Sequence, residues 1–154
     1  MIKKIVVGAD HGGFALKEIL KKFLENKGYP VLDVGTYSEE RCDYPVTAFA
    51  AAEAVARRKA QRGIIICKSG IGDSIVANKV PGVRAALAYN LKAAQLSRQH
   101  NDSNVLVLGS LFVSERLAKR MVMAWLTTEF EGGRHTKRIK QISAIEKKLG
   151  SRLA

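Results

Sequence analysis

The sequence predicts an α/β, Rossmann-like three-layer fold with a mainly five-stranded parallel sheet. Short apolar segments alternate with helical patterns through the first two-thirds of the chain, as in repeated strand-helix-strand units. The apolar run Ile64-Ile65-Ile66 leads straight into Cys67 and the glycine-rich turn Lys68-Ser69-Gly70-Ile71-Gly72, the pattern of a buried parallel strand ending in a loop. No repeat, low-complexity tract or linker divides the 154 residues, so residues 1–154 are read as one domain.

Strands are expected near Lys4 to Gly8, Val31 to Gly35, Gly63 to Cys67, Arg84 to Ala88 and Asn104 to Gly109. Between the first two, Leu16, Ile19, Leu20, Phe23 and Leu24 recur at helical spacing, with Lys17, Glu18, Lys21, Lys22 and Glu25 assigned to the opposite face. A second helix is read from Pro45 to Gln61, with proline suited to a first turn and an alanine-rich body suited to close packing. Further helices are expected from Gly72 to Lys79, Leu91 to Gln99 and Ser114 to Thr128, the last carrying Leu117, Met121, Val122 and Trp125 on one stripe. Gly132-Gly133 marks a turn. From about Thr136 a closing helix aligns Ile139, Ile142, Ile145 and Leu149. That stripe lies outside the alternating core pattern, so it docks either on a neighbouring subunit or back on its own chain.

A formal net charge of +12 invites an anionic partner. The basic residues are spread over Lys3-Lys4, Lys21-Lys22, Arg57-Arg58-Lys59 and the tail from Arg134 to Arg152, and solvated faces plus one small-anion site account for them. Aromatic residues make up only 6% of the chain, and no helix-turn-helix, zinc-finger or aromatic RNA-binding signature is present, so nucleic acid is not an expected partner. No apolar stretch approaches the roughly 20 residues of a membrane span, and a secretory signal pattern is lacking. The expectation is a cytoplasmic protein without a membrane partner. Cys42 and Cys67 stand in unlike settings, which favours two free thiols over a disulfide or a metal cluster.

In open parallel sheets ligands bind at the carboxyl ends of strands. That edge gathers Gly8-Ala9-Asp10-His11-Gly12-Gly13, the loop Cys67 to Gly72, and Ser110-Leu111. Gly70 and Gly72 permit the backbone angles by which consecutive N–H groups surround an anion. From spacing alone Cys67 reads equally as a reactive thiol and as a buried structural one. Asp10 reads as a helix cap or a hydroxyl acceptor, and His11 as exposed or as a sugar or phosphate contact. The polar cluster Ser97 to Asn104 holds capping residues but leaves His100 and Asn101 free for chemistry. Arg134 and Arg138 share one helical face, an arrangement that binds phosphate well.

The elements Gly8-Ala9-Asp10-His11, Asp43-Tyr44-Pro45, Cys67 through Gly72, Ala77-Asn78-Lys79, Arg98-Gln99-His100-Asn101 and Phe130-Glu131-Gly132-Gly133-Arg134-His135 occur in the order and spacing of the type B ribose-5-phosphate isomerases, a family that includes galactose-6-phosphate isomerase subunits. Nearly the whole chain resembles that family. The resemblance implies an aldose-ketose isomerase that needs no metal or other cofactor and works through an enediolate. By the same resemblance Cys67 is the base, His100 opens the cyclic sugar, and the loop Lys68, Ser69, Gly70, Ile71 and Gly72 holds the developing oxyanion, with Ser69 keeping a hydroxyl at a catalytic position. Asp10, His11 and Asn101 bind substrate, Arg134 and Arg138 bind its phosphate, and a homodimer or homotetramer completes each site across an interface. A thiol beside a helix start and a glycine turn is expected to have a lowered pKa.

Two positions depart from the family pattern. Lys68 stands where glycine is usual, and Leu111 where an arginine contacts phosphate. Lys68 either supplies the missing cation or points to solvent, and the altered pocket admits another reading, an isomerase of a tetrose, allose or galactose phosphate. A catalytically weak phosphosugar-binding module is the alternative outside the enzyme class. Tyr44 is read as either a pocket or a packing residue, and His135 as either a ligand or a structural group.

Overall fold

The computed structural model describes residues 4–153, with side chains through residue 150. The strands are β1 (Ile5–Ala9), β2 (Val31–Asp33), β3 (Arg62–Cys67), β4 (Ala85–Leu87) and β5 (Val105–Gly109). The helices are α1 (Phe14–Asn26), α2 (Tyr44–Ala56), α3 (Ile71–Ala77), α4 (Leu91–Asn101), α5 (Glu115–Thr127) and α6 (Arg134–Leu153). All pairings are parallel and the strand order is β2-β1-β3-β5-β4. The chain leaves β1 toward one side of the sheet and resumes at β3 on the other. The crevice beyond the carboxyl ends of β1 and β3 is therefore the switch point at which such sheets bind ligands.

Strand pleat sorts the side chains into two cores. Ile5, Val7, Ile64, Ile66, Leu106 and Leu108 pack with Leu16, Leu20 and Leu24 of α1 and Met121, Val122 and Trp125 of α5. Val6, Ile65, Val105 and Val107 face the other way, onto Ala48, Ala51, Ala52 and Val55 of α2 and Ala77 of α3. Covering both faces is why β3 reads as an unbroken isoleucine run. Ala48, Ala51 and Ala52 of α2 are fully buried, which brings that helix close to the sheet. The edge strands β2 and β4 are only half-buried and three residues long.

Two local expectations are corrected. Helix α2 ends at Ala56, not Gln61, because Arg58 takes a left-handed backbone (φ 58°) and the Lys59 amide donates back to the Ala54 carbonyl at 2.8 Å. No glycine announces that turn, so helical patterning runs past it. Lys17 is not on a solvated face: it is 0% exposed, and its Nζ donates to both Asp33 oxygens at 2.8 and 2.7 Å and pairs with Glu18 at 2.8 Å. A buried ammonium persists only with such partners. Asp33 ends β2 beside α1, a proximity that helical periodicity does not report.

Helix α6 begins at Arg134, just after Gly132 and Gly133, which both take positive φ (70° and 53°). Ile142, Ile145 and Leu149 of its apolar stripe are exposed on this chain. No helix among the described residues is long and apolar enough to cross a membrane.

Candidate active site

Three loops meet at the carboxyl edge and are stitched by hydrogen bonds. The Ser110 hydroxyl donates to the Gly12 carbonyl at 2.7 Å, the Ser110 amide to the Cys67 carbonyl at 2.8 Å, and the Leu111 amide to the Lys68 carbonyl at 3.1 Å. Two glycines make this closeness possible. A Cβ on Gly13 would stand 2.0 Å from the Ile66 carbonyl oxygen, and one on Gly70, where φ is 82°, would stand 2.4 Å from Leu87. The Tyr44 ring lies against Gly72, so this tyrosine packs on the loop that follows Cys67. The Tyr89 hydroxyl donates to the Ser69 carbonyl at 3.0 Å.

Asp10 is buried, and its carboxylate accepts from the Gly13 amide at 2.9 Å, a bond within the loop that leads into α1; the N-cap of that helix is Gly13 itself, so Asp10 is not its cap. His11 is half-buried, with Nδ1 3.3 Å from both the amide nitrogen and the carbonyl oxygen of Cys42. The Cys42 backbone thus orients the imidazole, although nothing in the sequence marks Cys42 for that task. Lys68 and Ile71 are exposed, and Lys68 forms no ion pair among the described residues. The Ile71 amide donates to Ser69 Oγ at 3.3 Å.

The thiol of Cys67 is nearly buried, and the Gly70 amide donates to its sulfur at 2.9 Å. The expected lowering of its pKa is reversed. Burial pushes the thiol up to about 12, aided by the carboxylate of Asp73, and the Gly70 amide only partly offsets them. Asp73 itself is 0% exposed, and neither oxygen finds a partner of good hydrogen-bond geometry among the described residues. Burial raises its pKa to about 6; the Cys67 thiol lowers it and Asp10 raises it. The sequence marks Asp73 only as an acidic residue in a helix first turn. Its burial beneath Cys67 is a tertiary fact.

The remaining candidates lie elsewhere. Helix α4 returns against the strand direction, so His100 and Asn101 stand next to the amino end of β5, where the Arg84 guanidinium donates to the Asn101 and Asp102 carbonyls. In the β3–β5 ladder Gly63 pairs with Val105 and Cys67 with Gly109. The two ends are thus separated by roughly 13 Å of strand at about 3.3 Å per residue. The start of α6 joins the amino edge: the Glu131 amide donates to the Gln99 carbonyl at 3.0 Å, and the His100 and His135 rings stack at 4.3 Å with 7° between planes. Cys67 and His100 of one chain therefore do not share a site. Arg134 and Arg138 are exposed one turn apart on the same side as His100.

His100, Glu131 and His135 are the one group of side chains among the described residues with ligand-capable atoms close enough to hold a metal, all within 4.8 Å of one another. The Nε of Arg134 stands 3.4 Å from His135 Nε2, so a guanidinium already occupies that ligand atom. Burial and the neighbouring His100, Arg134 and Arg138 charges lower the His135 pKa. This geometry fits a neutral imidazole backing His100 better than a cation site.

The model of the ribose/galactose isomerase family matches residues 5–142. The chain belongs to this family. It is 50% identical over 147 residues to ribose-5-phosphate isomerase B of Escherichia coli, covering 96% of this chain and 99% of that protein. Among solved structures, ribose-5-phosphate isomerase B of Clostridium thermocellum superposes with a TM-score of 0.93 at 49% identity, over 95% of this chain and 99% of that one. The Mycoplasma genitalium isomerase, whose crystal structure holds ribulose 5-phosphate, superposes with a TM-score of 0.90 at 42% identity, over 94% and 96% of the two chains. Membership in the isomerase family accounts for the convergence of three glycine-rich loops on a thiol at the switch point.

Proposed function

We propose that this protein interconverts ribose 5-phosphate and ribulose 5-phosphate, as an aldose-ketose isomerase whose base is Cys67 acting with Asp73. The observation that carries the reading is the Cys67 thiol at the sheet's switch point, with the Gly70 amide on its sulfur and the unpartnered Asp73 carboxylate beside it. A thiol raised to about 12 is no base at neutral pH by itself. Transfer of its proton to Asp73 leaves a thiolate that the Gly70 amide stabilises. The thiolate takes the C2 proton of the open aldose, the C–H electrons form the C1–C2 double bond, and the carbonyl electrons pass to O1. The cysteine then returns the proton to C1. O2 loses its hydroxyl proton as O1 gains one, and C2 becomes the ketone. Donors oriented toward the enediolate oxygens stabilise this transition state more than the ground state, a role for the 68–72 loop and Ser69.

His100, Asn101, Arg134 and Arg138 enter this chemistry from a second copy of the chain, because their own Cys67 is on the opposite edge of the sheet. His100 would move the proton that opens the cyclic sugar, Asn101 with Asp10 and His11 would hold hydroxyls, and the arginine pair would hold the phosphate. The exposed stripe of α6 supports a homo-oligomer, each copy being one domain that carries two half-sites. The two free cysteines accord with a reducing, cytoplasmic setting.

Exposed Lys68 and Leu111, tied together at the mouth of the loop, favour a second reading, an isomerase of a sugar phosphate of different length. Turnover of ribose 5-phosphate is measured beside four- and six-carbon aldose phosphates, with Cys67→Ala as control. Pentose turnover lost in Cys67→Ala is the expected result. Activity on another sugar phosphate alone transfers the reading to that substrate, and full activity in Cys67→Ala assigns the base elsewhere.

A further inference from the structure

At the amino edge of the sheet, opposite Cys67, a cavity of about 1300 Å³ is lined by Lys4, Arg58, Lys59, Arg62, Arg84 and Arg98, against a single acidic lining residue, Glu129. It exceeds the few hundred to 1,000 Å³ of ordinary small-ligand sites. We propose that this cavity is a second anion site, built to take a small molecule that carries a diphosphate group.

The cations divide into two sets. Arg84 and Arg98 share the single carboxylate of Asp102, at 3.0 and 2.6 Å, and are further fixed by the carbonyls of Asp102 and Ser103. They form a rigid wall. Lys4, Arg58, Lys59 and Arg62 form no ion pair among the described residues. Arg62 is half-buried: its Nη1 donates to the Gln61 carbonyl at 3.1 Å, and its buried Nε has no acceptor. Removing a guanidinium N–H from water without an acceptor is costly, and a bound anion would relieve it.

Burial and the positive charge of Arg98 and Arg84 act against the Arg62 charge, with Asp102 opposing them. Arg58 adds a separate sign of construction, since an arginine holds the left-handed backbone (φ 58°) that glycine would occupy without strain. Four unpaired cations about one concavity match a diphosphate better than a monophosphate, whose two charges would leave half of them uncompensated. The same cavity accounts for Arg58 and Lys59 better than a solvated helix face does, because α2 ends before them; Arg57 pairs with Glu53 instead.

The site also touches the active machinery from behind. Arg98 lies two residues before His100 and donates to the Thr128 carbonyl at 3.3 Å, and Thr128 to Phe130 line the cavity just before Glu131. An occupant would press on the segment that carries the His100, Glu131 and His135 cluster.

The test is calorimetric titration of the intact protein with inorganic pyrophosphate, with and without saturating ribose 5-phosphate. Expected is one pyrophosphate per chain, bound whether or not the sugar phosphate is present. Affinity should fall about tenfold in Arg62→Met and again in the double variant Arg58→Gly, Lys59→Glu, as loss of charge-assisted contacts predicts. Arg58 and Lys59 are both exposed, and the double variant gives position 58 the residue its backbone prefers, so it keeps the test open should Arg62→Met fold poorly. Ribose 5-phosphate turnover should persist in the double variant. No binding at millimolar pyrophosphate overturns the proposal, as does binding that ribose 5-phosphate abolishes or that ignores both variants. Tighter binding of an RNA oligonucleotide that ignores both variants would assign the charge to a diffuse nucleic-acid surface instead.

Discussion

The Leu111 amide donates to the Lys68 carbonyl at 3.1 Å, which places the side chains of these two exposed residues at one mouth of the crevice, beside Cys67. A cation at position 68 and an alkyl group at 111 would therefore face the same part of a sugar phosphate bound there. If Lys68 supplies a phosphate contact, Lys68→Gly should raise KM for the sugar phosphate about tenfold, and adding Leu111→Arg should recover it, since one charge-assisted contact is worth about 1.5 to 3 kcal/mol. Steady-state kinetics on both single variants and the double variant decide this. Unchanged KM throughout would mean that Lys68 points to solvent.

Asp73 has to be ionised to accept the Cys67 proton, so kcat/KM should rise with pH through a limb near the Asp73 value of about 6. Asp73→Asn should remove that limb and lower kcat by about 10² to 10⁴, the usual contribution of a positioned base. Stability should move in the opposite direction. A carboxyl raised from 3.8 to about 6 in the folded chain costs the wild type stability as pH climbs through that interval. The Tm of Asp73→Asn relative to wild type should therefore increase from pH 4 to pH 7. A merely structural Asp73 would leave the pH profile of kcat/KM unmoved.

Because Cys67 and His100 stand on opposite edges of one chain, Cys67→Ala and His100→Ala should complement each other. Each alone should be inactive. Mixed and reassembled, the two should recover up to about one quarter of wild-type activity, since a random dimer pairs an intact Cys67 with an intact His100 in that share of sites. The readout is turnover of ribose 5-phosphate after co-refolding. No recovery would place the whole site within one chain.

Lys17 and Asp33 give the fold an acid-sensitive joint. Burial pushes the Asp33 carboxyl up, but hydrogen bonds from Lys17, Lys21 and the Gly35 amide outweigh it, and the net pKa is lowered. The stabilisation is then present above the unfolded carboxyl value and is lost as pH falls through the lowered folded value. Asp33→Asn should lower stability at pH 7 by about 2 to 3 kcal/mol, somewhat less than for an isolated buried pair, because Glu18 still contacts Lys17. Denaturant titrations of both proteins between pH 3 and pH 7 should show the difference shrinking with acidity.

Much was legible along the chain because it depends on local periodicity and on residue types with few conformational alternatives. The isoleucine run, the glycines after Cys67 and the stripes of α1 and α5 located each strand and the site-bearing loops to within a few residues. Asp10, His11 and Cys67 were candidates for the same reason, since each follows a strand at the carboxyl edge. Tertiary structure alone decided the rest. It buried Lys17 on Asp33 and Asp73 beneath Cys67, reversing the direction of the cysteine's pKa. It set His100 and Arg134 on the far edge of the sheet, and it drew Arg58, Arg62 and Arg84 about one cavity. Desolvation and charge coupling depend on distances between residues far apart in sequence, and only packing fixes those distances.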